Sequence, residues 1–72
     1  MKIKLEELFF PGQYEYHDAD WSISAWEAPS GTGITCHVFG KHYPYTSVAI
    51  RDLKDISAAE EAAAKYIQSK ED

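Results

Sequence analysis

The sequence predicts an α+β fold in which a three- or four-stranded antiparallel meander carries a C-terminal helix packed on one face. Three observations lead there. Apolar and polar residues alternate through the middle of the chain, with the period of half-buried strands. Turn-forming residues punctuate those stretches. The C-terminal stretch then changes to helical spacing. The chain has 72 residues, enough for one domain over 1–72. At that length a folded chain hides only about 60% of its unfolded surface, so modest stability is expected.

The N-terminal segment reads two ways. Leu5, Leu8 and Phe9 have helical spacing, and Ile3 and Leu5 alternate like a strand. Pro11-Gly12 closes the segment in either case. Tyr14-Glu15-Tyr16-His17 then extends the first central strand backwards or forms a strand of its own. In the next stretch Trp21, Ile23 and Ala25 point one way and Ser22, Ser24 and Trp26 the other. Ala28-Pro29-Ser30-Gly31-Thr32-Gly33 has the composition of a turn. Beyond it, Ile34, Cys36 and Val38 alternate with Thr35, His37 and Phe39, completing a hairpin. A turn over 40–44 leads to a third strand from Thr46 to Asp52, with Val48 and Ile50 on one face.

The helix is expected at about 57–69. Ser57-Ala58-Ala59-Glu60 has the form of a capping box. Glu60 and Glu61 read as first-turn acids, with Lys65 and Lys70 later, matching the helix dipole. Ala59, Ala62, Ala63, Tyr66 and Ile67 form one face, and its alanines allow close approach to a sheet. The expected core is Ile23, Ile34, Cys36, Val38, Val48, Ile50, Leu53, Ala59, Ala63, Tyr66 and Ile67.

Charge and cysteine content narrow the function. Net charge is −5. From Leu5 to Gly40 there are six acids (Glu6, Glu7, Glu15, Asp18, Asp20, Glu27) and no Lys or Arg, and the rest of the chain carries +1. Such a half repels phosphate backbones and attracts basic surfaces. Cys36 has no second cysteine to pair with, and charge interrupts the N-terminus before a signal-peptide core develops. No apolar run has the length of a membrane span. A cytoplasmic protein is expected, with no membrane contact.

No catalytic motif stands out, and a non-enzymatic protein without a cofactor is expected. Cys36 and His37 are neighbours on a strand and point to opposite faces, which separates nucleophile from base. His17, Asp18, Asp20, His37 and His42 lack a recognised metal-ligand spacing. With a helical N-terminal segment, the order and the alanine-rich closing helix resemble the double-stranded-RNA-binding domain. That family grips phosphates with lysines at the start of this helix, where this chain has Glu60 and Glu61. Direct nucleic-acid binding is therefore not expected.

Protein binding remains. The acids Glu15, Asp18, Asp20 and Glu27 provide a field for a basic partner, and Tyr14, Tyr16, Trp26, Tyr43 and Tyr45 are the residue types that anchor interfaces. The expectation is that these nine residues crowd one open side of the sheet. A small acidic chain of this build resembles the anti-CRISPR proteins that phages direct against host defence. The resemblance is one of kind, in size, acidity and α+β build, and no motif comes with it. It implies an inhibitor that occludes a basic nucleic-acid-binding surface, with carboxylates standing where phosphates would lie. An exposed strand edge leaves open a second expectation, a self-associating homodimer. A third is a small metal or ligand binder using His17, Asp18, His37 and His42.

Overall fold

The computed structural model describes residues 2–9, 12–29, 31 and 33–71. Among them the chain forms β1 (Glu6–Glu7), β2 (Gln13–His17), β3 (Trp21–Glu27), β4 (Ile34–Gly40), β5 (Thr46–Leu53) and α1 (Ile56–Glu71). Spatial order follows sequence order and every neighbouring pair is antiparallel, an α+β meander as expected. The sheet has five strands among the described residues, where three or four were expected. Two causes account for the difference. Residues 14–17 belong to a separate strand, because Asp18 turns the chain before Trp21. The N-terminal segment also resolves as strand, with Glu6 opposite Glu15 and Glu7 opposite Tyr14. Pro11 and the turn residues Ser30 and Thr32 lie outside the described residues.

Register assigns the faces. Tyr14, Ala25, Cys36 and Ile50 form one cross-strand row, and Tyr16, Ile23, Val38 and Val48 the next. Both rows lie on the face against which α1 packs, and α1, set over β3, β4 and β5, contributes Ala59, Ala63 and Ile67 to the buried core. The alanines let the helix come close: Cys36 Sγ lies 4.0 Å from the Ala59 carbonyl oxygen. Burial pushes the Cys36 thiol up to about 11, as for a small hydrophobe rather than a nucleophile. At the end of the helix Tyr66 meets Trp21 edge-on, with ring centroids 6.4 Å apart.

Three core residues were not anticipated: Ile3, Leu5 and Ala25 are buried. Ile3 and Leu5 are held by more than packing, since the Leu5 amide donates to Glu60 Oε2 at 2.7 Å. That bond corrects the capping expectation. Glu60 serves the N-terminal segment, and the helix begins at Ile56 with Asp55 as its cap, Asp55 Oδ1 accepting from the Ala58 amide at 2.8 Å. The start at Ile56 moves Glu60 and Glu61 out of the first turn, which holds no acid.

The β3–β4 connection meets the end of β5 at Gly33. Its φ is +141°, and a Cβ there would stand 2.9 Å from the Leu53 carbonyl oxygen. Opposite Thr35 the ladder slips, leaving Arg51 and Asp52 as a bulge with Asp52 at φ 61°.

Candidate functional site

Among the described residues the helix packs on one face of the sheet and no element covers the other. By register the open face carries Gln13, Trp26 and Thr35 in one row, Glu15, Ser24, His37 and Ala49 in the next, and His17, Ser22, Phe39 and Ser47 in the third. The Leu8 amide donates to the Gln13 carbonyl at 2.8 Å, which continues the β1–β2 ladder and sets Leu8 beside the first row.

Apolar groups stand at opposite corners of this face. At one corner Leu8 and Trp26, the latter 37% exposed, wall a shallow groove of about 390 Å³ whose floor includes Gln13, Glu15 and Ser24. At the other, Tyr45 stacks on Phe39 with centroids 6.1 Å apart and planes within 10°, and Tyr43 meets Tyr45 edge-on at 6.2 Å. Tyr43 is 87% and Tyr45 67% exposed. Strand geometry separates the corners by roughly 14 Å, four residues along and one strand across.

Polar contacts hold the loop that carries the tyrosines. Lys41 Nζ donates to the Asp18 carbonyl at 2.6 Å, and His42 Nε2 to the Ala19 carbonyl at 3.1 Å. His42 Nε2 also lies 3.1 Å from Asp20 Oδ1, and the Lys41 amide donates to the Asp20 carbonyl at 2.9 Å. The β2–β3 turn thus splints the aromatic loop, which lowers the entropy cost of presenting it to a partner.

Asp18 shapes that turn. Its Oδ1 accepts from the amides of Asp20 and Trp21, and its Oδ2 accepts from the Tyr16 hydroxyl at 2.7 Å. Burial pushes the Asp18 carboxyl up, but these three hydrogen bonds and nearby Lys41 outweigh it and hold the group below its ordinary value. The Asp18 bond, with burial and the carboxylate charge, raises Tyr16. Tyr14 is raised by partial burial, by Glu7 and by Glu27.

Two histidines complete the middle of the open face. His17 Nε2 donates to Glu15 Oε1 at 2.6 Å, and in the neutral ring Nδ1 accepts from Ser22 Oγ at 3.2 Å. His37 Nε2 contacts Ser47 Oγ at 2.8 Å. Ser22, His17 and Glu15 have the connectivity of a hydrolytic triad. β3 lies between β2 and β4, so its own backbone amides serve the ladders on either side. His17, Asp18, His37 and His42 occupy separate contacts, and among the described residues no three of His, Cys, Asp and Glu cluster to hold a metal ion.

The nine residues expected on one open side are therefore divided. Glu15 and Trp26 lie on the open face, with Tyr43 and Tyr45 in the loop at its end. Asp18 and Asp20 form the turn beside that loop. Tyr14 and Tyr16 lie on the helix-covered face, packed against the core, because their register partners are Ala25 and Ile23. Glu27 ends β3 close enough to Tyr14 to act on its hydroxyl. Phe39 and Leu8 were missed. The alternation did place Phe39 opposite the core, and Leu8 became readable only once β1 formed.

Among the described residues no helix is long and apolar enough to cross a membrane. In comparison with known proteins, the chain matches no family model, no curated protein and no solved structure.

Proposed function

We propose that this chain is a non-enzymatic protein-binding module, an inhibitor by occlusion, which docks through the open face of its sheet onto a basic surface of a partner protein. The observation that carries this reading is the uncovered face itself. It holds Trp26 at one corner and the Phe39–Tyr45–Tyr43 cluster at the other, with a polar saddle between. Tyr and Trp at such positions supply large, stiff contact area at low entropic cost, and hydroxyls and imidazoles around them supply hydrogen bonds.

The acids act by steering. Glu6 and Glu15 share the open face, Asp18 and Asp20 collar its aromatic end, and Glu7 and Glu27 stand near Tyr14. This placement favours a broad negative field over a row of phosphate-spaced carboxylates on the docking face. A field of that kind accelerates encounter with a basic partner and weakens as salt rises. The finer reading, implied by the resemblance to anti-CRISPR proteins, is that the partner is a host-defence effector whose nucleic-acid-binding surface becomes covered.

The test is paired capture from host extract on immobilised wild-type chain and on a W26A/Y45A variant. A basic protein held by the wild type, lost from the variant, and released between about 0.1 M and about 1 M salt is the expected outcome. Capture of the same proteins by both chains would contradict the reading.

A further inference from the structure

β5 ends the sheet, and among the described residues no strand pairs with its outer side and no backbone hydrogen bond leads from it to another element. The two edges differ. β1 is two residues long and both are glutamates, a short charged edge of the kind that resists further pairing. β5 has eight residues, and its first five are Thr46, Ser47, Val48, Ala49 and Ile50. That stretch has no charge and no proline, and the ladder irregularity falls only later, at Arg51 and Asp52.

Two further observations point to what pairs there. The apolar layer ends open: Ile23, Cys36 and Val38 are fully buried, but Val48 and Ile50 on the edge strand are half-buried. Charge is also unevenly placed. The excess of acids lies in residues 5–40, and residues 41–72 hold five bases and six acids. The uncharged start of β5 is thus where a second copy of this acidic chain meets the least like-charge repulsion.

We propose that β5 is a self-pairing edge: two copies join antiparallel through residues 45–51 about a twofold axis at Val48, making one continuous sheet. Residues directly opposite each other in an antiparallel pair share a face, so the axis must pair positions of equal parity. An axis at Val48 sets Val48 against its own symmetry mate, Thr46 against Ile50, Ser47 against Ala49 and Tyr45 against Arg51. The half-buried apolar side chains then meet on the helix side. On the open side each Arg51 guanidinium meets an exposed Tyr45 ring, a cation–π geometry. No like charges face one another, and pairing stops at the bulge. Sliding the axis to Arg51 would oppose two guanidinium groups. The inference does not require the docking reading, although both use Tyr45 and such a dimer would join two open faces into one.

Sedimentation equilibrium tests it. The wild-type chain is expected to show twice the 8.2 kDa monomer mass, with an S47K/A49K variant dissociating at least about tenfold more readily because four ammonium groups would meet. Both positions are exposed in the single chain, and circular dichroism checks that the variant folds. As a second measurement, S47C and A49C chains are mixed under mild oxidation. Disulfide linkage between the two different chains should outpace linkage within either protein alone. A wild type that stays monomeric to about 1 mM, a dimer indifferent to the lysines, or cross-linking equal in all three samples would overturn the proposal. Trp26→Ala should leave the dimer intact, which separates this result from the docking test.

Discussion

Glu60 Oε2 accepts a 2.7 Å hydrogen bond from the amide of Leu5, 55 residues away in sequence. The contact fastens the N-terminal segment across the helix and holds Ile3 and Leu5 over the core. Glu60→Ala leaves a part-buried amide without its charged acceptor. Loss of such a bond costs about 1–3 kcal/mol, and Glu60→Gln, which keeps a neutral acceptor, should cost less. Urea denaturation of the three chains measures both, and equal midpoints would show that the bond contributes nothing.

Gly33 is the backbone position least able to take a side chain. Its φ of +141° and the 2.9 Å approach of the Leu53 carbonyl oxygen act together. Gly33→Ala should destabilise by about 1–3 kcal/mol, as expected for strain at an unfavourable φ. Gly31→Ala, with φ +72° but open space around it, should cost less than Gly33→Ala. Thermal unfolding of both variants gives the order.

Ala63 is fully buried between helix and sheet. Enlarging it to leucine should cost about 1–3 kcal/mol through overpacking. An unchanged melting temperature would mean that the helix does not sit on the sheet as described.

Asp18 and Tyr16 give opposite pH dependences. Asp18 titrates below its unfolded value of about 3.9, so its stabilisation is present above that pH and disappears as pH falls through the lower folded value. Tyr16 titrates above its unfolded value of about 10, so its contribution is present below that pH and disappears as pH rises through the folded value. Asp18→Asn should flatten the loss of stability on acidification. Tyr16→Phe should flatten the loss on the alkaline side. Denaturant midpoints measured across pH report both slopes.

The sequence made the α+β class and most of the core legible, for physical reasons that these residues illustrate. Period-two alternation through Ile23, Cys36 and Val38 needs only local pattern to be read, and register then follows. The helix was legible from its alanine face. Its cap was not, because Asp55 and Ser57 are both competent caps and only tertiary structure shows that Glu60 is engaged by Leu5. The N-terminal strand was ambiguous because Leu5, Leu8 and Phe9 fit a helical period as well. The candidate site was legible only in part. Parity sent Trp26 outward correctly, but Tyr14 and Tyr16 needed the register of a strand whose independence was undecided. Their pairing with Ala25 and Ile23 puts them on the helix-side face, packed against the core. Grouping acids and aromatics by proximity in sequence overlooked that neighbours on a strand face opposite ways.

Inhibition by occlusion requires the uncovered side of the sheet to be a surface that binds. Its most direct test is the affinity of the captured partner, by titration calorimetry, for wild type, W26A and, as a helix-side control, Gln68→Ala. Docking through the open face predicts that W26A weakens binding by at least about tenfold, roughly 1.4 kcal/mol, and that Gln68→Ala leaves it unchanged. Equal affinity of all three chains, or loss on the helix side alone, would contradict it.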